Sequence, residues 1–148
     1  MNRPSHILLV EDNPDDCEAT LRSFKKNRFT NSIHWCRTGK DALDYLRQTG
    51  AYAESPEVQA PDIVLLDLNM PGLDGRQVLQ IVKSDEALKS IPVIILTTSR
   101  DSKDVDQCYA FGANTYIQKP VNFEELTQSI GAMKSYWFDV AVLPERQE

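Results

Sequence analysis

Residues Ile63-Val64-Leu65-Leu66 form an apolar run without alternation, and the run stops on the carboxylate of Asp67. A run of this kind reads as a strand buried on both faces, as found inside a parallel sheet. Asp67 then sits at the carboxyl end of a strand, the edge at which ligands gather in open α/β sheets. The next residues, Leu68-Asn69-Met70-Pro71-Gly72-Leu73-Asp74-Gly75, are also ordinary turn chemistry. The stretch alone therefore leaves Asp67 either a reactive residue or the start of a turn.

The same pattern recurs along the chain. His6-Ile7-Leu8-Leu9-Val10 predicts a buried strand that ends on Glu11 and Asp12. Asn13 or Asp12 can cap a helix with Pro14 at its first position, and Cys17, Leu21 and Phe24 supply its apolar stripe as far as about Asn27. Ser32 to Cys36 alternates weakly and predicts a less buried strand. A helix is expected from Thr38 through Gln48, its end marked by Gly50, followed by a surface loop over 51–61. After the central strand at 62–66, a helix is expected from about Asp74 to Ser84, then a strand at 91–96 that delivers Thr97. A helix from Ser102 to Phe111 precedes a short strand at 115–118 that ends on Lys119-Pro120. Phe123, Leu126, Ile130, Met133 and Trp137 mark a final helix at spacings of three and four.

Strand followed by helix, five times over, predicts a doubly wound α/β fold with a parallel sheet covered on both faces. Its reactive edge would collect Glu11, Asp12, Asp67, Thr97 and Lys119. Carboxylates in one crevice repel each other, by ~1 kcal/mol per pair at ~4 Å in water and ~4 kcal/mol at an effective dielectric of ~20. Lys119 can balance one charge and a hard divalent cation the others. Magnesium suits the set, because it accepts one or two carboxylates, keeps several waters and leaves room for phosphoryl oxygens. A carboxylate beside magnesium and lysine can attack a phosphoryl group to give an acyl phosphate. Thr97 would offer a hydroxyl to that group, and the Asn69 carbonyl another metal ligand.

Composition narrows the functions available. The 148 residues carry a net charge of -6 and a pI near 4.9, which disfavours direct binding of nucleic acid. No stretch reads as a membrane span or signal peptide, so a cytoplasmic protein is expected. Cys17, Cys36 and Cys108 match neither a zinc pattern nor a disulfide framework and read as buried thiols.

With these residues in place, the sequence resembles the receiver domains of two-component response regulators over nearly its whole length. The resemblance is carried by Leu9-Val10-Glu11-Asp12, by Leu66-Asp67-Leu68-Asn69-Met70-Pro71-Gly72-Leu73-Asp74-Gly75, by Leu96-Thr97-Thr98-Ser99 and by Lys119-Pro120. It implies a flavodoxin-like sheet of five parallel strands in the order 2-1-3-4-5. It also implies that Asp67 accepts a phosphoryl group from a sensor histidine kinase, and that Glu11, Asp12, Asp67 and the Asn69 carbonyl hold magnesium. Thr97 and Lys119 would contact the phosphoryl group, Tyr116 matches the switch aromatic, and the Lys119-Pro120 bond would be cis. Such a protein is not an enzyme beyond its own phosphorylation and dephosphorylation.

The segment after the last helix is too short for an output domain. One stand-alone receiver over 1–148 is expected, with a carboxyl-terminal extension from about residue 139 and output through partners. Near that extension Tyr136 and Phe138 are unable to share one helix face with Trp137, so one of them is expected at an interface. The tail and the insertion beginning Gly50-Ala51-Tyr52 resemble the single-domain regulators paired with bacterial phytochrome kinases. That implies such a kinase as partner and a homodimer through the last helix and tail. Two other readings remain open: a phosphorylation-independent adaptor, and a magnesium-dependent phosphohydrolase acting through an aspartyl phosphate. The second usually places another acid where Asn69 stands.

Overall fold

A computed structural model describes residues 5–29, 32–56 and 58–145. Its strands are β1 (His6–Val10), β2 (Ser32–Cys36), β3 (Ile63–Leu66), β4 (Val93–Thr97) and β5 (Thr115–Gln118), all parallel, in the order β2-β1-β3-β4-β5. Successive side chains of a strand point to opposite faces, and the sheet divides its apolar residues accordingly. Leu8, Val10, Val64, Leu66, Val93 and Ile95 face one layer of helices, α2 (Gly39–Arg47), α3 (Gly75–Ser84) and α4 (Ser102–Ala110). Ile7, Leu9, Ile63, Leu65, Ile94 and Leu96 face the other, α1 (Pro14–Lys26) and α5 (Phe123–Lys134). This is the doubly wound arrangement that the alternation of strand and helix predicts, in the flavodoxin-like strand order that the resemblance implies.

Polar caps begin every helix at the sheet's carboxyl edge. The Asn13 side chain accepts from the N–H groups of Asp15 and Asp16, and Thr38 accepts from Asp41. Asp74 and Gln77 form a reciprocal capping box, while Asp101 and Asn122 cap α4 and α5. Each cap satisfies N–H groups that the helix itself leaves unpaired, and each fixes where the preceding strand-end loop turns.

Several boundaries differ from expectation, each for a local reason. Helix α2 ends on Gln48, which takes the left-handed conformation at φ 55°, and Gly50 instead opens a short 3₁₀ turn through Tyr52. Strand β4 starts at Val93, because Pro92 has no N–H to give to the ladder and contributes only its carbonyl, to Val64. The loop after α2 is anchored: Tyr52 donates to Asp41 at 2.8 Å and meets the edges of His34 and Tyr45, while His34 stacks on Tyr45 with centroids 4.2 Å apart. The Lys119-Pro120 bond is trans, against the cis bond that the resemblance implies; trans is the lower-energy form even before proline.

The final helix changes its winding. From Ser135 to Val140 it is a π-helix, closed by the bond from Ala141 N–H to the Tyr136 carbonyl at 2.7 Å. The wider turn lets Trp137 and Phe138 both pack against the α1–α5 core, with Phe138 5.5 Å from Phe29 between ring centroids. Tyr136 is the aromatic turned out, 54% exposed. No helix among the described residues is long and apolar enough to cross a membrane.

Candidate functional site at the carboxyl edge of the sheet

Register decides what converges. Val10 pairs with Leu66, Leu66 with Ile95, and Thr97 with Gln118, so the residues just past these strands share one edge. Glu11, Asp12 and Asp67 meet there, with carboxylate oxygens within 4.8 Å of one another. Glu11 and Asp67 are buried and Asp12 is half-buried. Thr97 and Lys119 arrive from the neighbouring strands, both buried, and the Lys119 N–H donates to the Thr97 carbonyl at 2.6 Å.

The loop that carries Asp67 is held tightly. Asp67 N–H donates to the Val10 carbonyl at 3.0 Å, Leu68 and Met70 are buried, and Gly75 N–H returns to the Leu68 carbonyl at 2.9 Å. Gly75 permits that closure, since a Cβ there would collide with the Asp67 carbonyl. Asn69, two residues past Asp67, is exposed.

Lys119 is the cation of the crevice, and its ammonium lies on Glu11 Oε1 at 2.7 Å and on Asp16 Oδ2 at 3.4 Å. The other Glu11 oxygen, Oε2, accepts from the Asn13 N–H at 3.2 Å. Burial pushes the Glu11 carboxyl up to about 7, against the pull of Lys119, and the nearby Asp67 adds to the rise. Burial also works against charge on Lys119, but the Glu11 carboxylate outweighs it and holds the ammonium above the usual lysine range. The Thr97 hydroxyl is buried without a hydrogen-bond partner. A buried orphan hydroxyl is costly, and this one stands at the edge where an oxygen-rich ligand would meet it.

The donor set fits a divalent cation. Three carboxylates supply hard oxygen ligands, and their mutual repulsion is relieved by the charge they would bind. Tyr116 lies beside this edge, its hydroxyl donating to the Ser99 carbonyl at 3.0 Å, so the loop after β4 is tied to β5.

Two features escape the sequence reading. Asp16, in the acidic first turn of α1, reaches Lys119 103 residues away, and no local pattern announces that meeting. Arg76, in the first turn of α3, clamps Asp104 in the first turn of α4 through Nε at 3.1 Å and Nη2 at 2.7 Å. Asp104 in turn accepts from the Ser99 hydroxyl at 2.6 Å. This chain of contacts joins the Asp67 loop to the loop after Thr97.

Comparison with known proteins gives a consistent picture. The family model described as response regulator receiver domain matches residues 7–131. The chain is 42% identical over 134 residues to the probable methanogenesis regulatory protein FilR2 of Methanothrix harundinacea, covering 90% of this chain and 84% of that protein. It is 37% identical over 143 residues to response regulator Rcp1 of Synechocystis, covering 97% and 95%. The crystal structure of the phosphorylated cyanobacterial phytochrome response regulator RcpA superposes with a TM-score of 0.89 at 38% identity, over 97% of this chain and all (100%) of that one. The Mn(2+)-bound form of Rcp1 superposes with a TM-score of 0.87 at 37% identity, over 96% and 100%.

The Glu11–Lys119 contact bears on stability in a way that can be measured. The raised Glu11 value lies above the ~4.3 of an unfolded glutamate, so the folded state holds that proton more tightly. Its contribution falls as pH rises from about 4.3 and levels off above about 7. Lys119→Met removes the compensating ammonium, so the fall should continue beyond pH 7, toward the ~3 kcal/mol or more expected for an unpaired buried charge. Urea denaturation of both proteins in chelator should give a stability difference that widens from about pH 6 to about pH 8. A difference independent of pH would contradict this account.

Proposed function

The chain belongs to the response regulator receiver domain family, and on that premise we propose that Asp67 accepts a phosphoryl group from a sensor histidine kinase in a magnesium-dependent reaction. The observation that carries the proposal is the meeting of three carboxylates within 4.8 Å at the sheet edge that also holds Lys119. Glu11, Asp12, Asp67 and the Asn69 carbonyl would hold the metal. Bound there, magnesium supplies positive charge against the phosphoryl oxygens and neutralises the acidic cluster.

The chain's own residues account for the rest of the reaction. An Asp67 oxygen attacks the phosphorus of a phosphohistidine, a P–O bond forms and the P–N bond breaks, its electron pair leaving with the imidazole. Lys119, whose ammonium lies on Glu11 in the crevice, would place that charge against a phosphoryl oxygen. Thr97 donates its unpartnered hydroxyl to another. Tyr116, tied to the Ser99 carbonyl, responds to the movement of the loop after Thr97 and remodels the face of α4, β5 and α5. Asn69 stands where a phosphohydrolase would place its second acid, which weighs against turnover of an external phosphate ester. An adaptor indifferent to phosphate would leave the Thr97 hydroxyl with no purpose for its cost.

On this reading the chain acts as a receiver that signals through partners, a reading supported by its match over 95% of response regulator Rcp1. Three buried free thiols suit a reducing, cytoplasmic setting. The likeness to RcpA, a phytochrome response regulator, supports a phytochrome-type histidine kinase as the partner. A homodimer through the last helix and tail is supported by the apolar side chains left outside the core there, Tyr136 at 54%, Val140 at 71% and Val142 at 97% exposure.

Intact mass after incubation with magnesium and acetyl phosphate tests the chemistry. The wild type should gain one phosphoryl group, and Asp67→Asn or the addition of a chelator should abolish the gain. Transfer to Asp67→Asn at the wild-type rate, from acetyl phosphate or from a kinase, would overturn the assignment. Equilibrium sedimentation should give a dimer whose dissociation is promoted by Tyr136→Ser with Val140→Ser; a wild type that remains monomeric at high concentration, phosphorylated or not, would rule out the dimer.

A further inference from the structure

The main chain of Glu11 is held from the edge strand beside it. Its N–H donates to the Cys36 carbonyl at 3.1 Å, and its own carbonyl accepts from the Trp35 indole Nε1 at 2.7 Å. In a continuing parallel ladder that carbonyl would look to the N–H of residue 38. Strand β2 has ended at Cys36, however, and by Thr38 the chain turns into α2. A side chain from within the strand supplies the donor instead.

The carbonyl of Glu11 and the N–H of Asp12 belong to one rigid peptide plane. Holding that oxygen therefore fixes the direction in which the chain enters Asp12, the half-buried member of the acidic triad. Trp35 is itself held in place. Its ring packs against the α1–α5 core, lines a hollow together with Pro14, Cys17 and Leu21 of α1, and carries the Arg37 guanidinium 5.1 Å from its centre.

We propose that Trp35 is a positioning residue for the acidic pocket, its indole N–H setting Asp12 toward a divalent cation through the Glu11 carbonyl. The inference rests on the reading of Glu11, Asp12 and Asp67 as a metal site. A hydrogen bond that orients a ligand from behind is worth about three- to tenfold in metal affinity by its net strength, and up to about a hundredfold where ligand geometry is demanding.

The test replaces Trp35 by its benzothienyl isostere, in which sulfur stands for the N–H and the shape of the ring is kept, beside Trp35→Phe. Magnesium is titrated calorimetrically into the unphosphorylated proteins, and thermal unfolding is followed without metal. The isostere should bind magnesium about three- to tenfold more weakly than the wild type, beyond the lower metal-free unfolding midpoint that loss of a hydrogen bond already made without metal entails. Should Trp35→Phe fail to fold, the isostere decides alone. An isostere with wild-type affinity overturns the inference, whatever its stability, because a purely structural role would act on the midpoint and not on the metal. No magnesium binding by the wild type would overturn the metal reading, and this inference with it.

Discussion

A parallel sheet covered by helices on both faces leaves a strand almost nowhere to put charge. Every residue of β1, β3 and β4 is buried, so a carboxylate inside any of them would lose its hydration without recompense. The carboxyl ends are the permitted places, and the chain uses three of them: Glu11 and Asp12 after β1, Asp67 after β3 and Lys119 after β5. The five-stranded register then brings those ends together. Fold and site are thus one consequence of the same restriction, and the helix caps at that edge hold the loops that carry it.

The crevice so formed is stabilised only in part by its own members. The Glu11–Lys119 pair is buried and close, at 2.7 Å, yet burial still lifts the Glu11 carboxyl toward neutrality. A buried ion pair of this kind returns little net stability. The Thr97 hydroxyl adds an unsatisfied donor to the same place. Groups arranged at such cost against the stability of the resting protein accord with the proposed metal and phosphoryl group, because both would satisfy them at once.

Much of this was legible in the residues. The strands at His6–Val10, Ser32–Cys36 and Thr115–Gln118 begin and end where the apolar patterns do, and the Asn13, Thr38 and Asp74 caps come directly from their side chains. The residues that meet at the carboxyl edge were legible as strand ends, since polarity following an apolar run is a local signal. The features that stayed hidden depend on three-dimensional meetings. Asp16 reads as a helix-start acid until β5 brings Lys119 over it, and Trp35 reads as one residue of a weakly alternating strand until its indole finds the Glu11 carbonyl. The π winding at Ser135–Val140 escapes a search for spacings of three and four, because packing both Trp137 and Phe138 on one core calls for a wider turn than those spacings describe. The trans bond before Pro120 lies outside any pattern, for the two isomers differ by only ~0.5–1 kcal/mol and neighbouring residues decide between them.

That an acyl phosphate forms on Asp67 is the central claim, and borohydride trapping tests it at the bond itself. Hydride reduces an aspartyl phosphate to homoserine and releases phosphate, leaving unmodified carboxylates unchanged. Peptide mapping of the chain after phosphorylation with magnesium present and reduction should find homoserine at position 67, and none when magnesium is chelated. Homoserine at another aspartate, or a phosphorylated chain that yields none, would contradict the account.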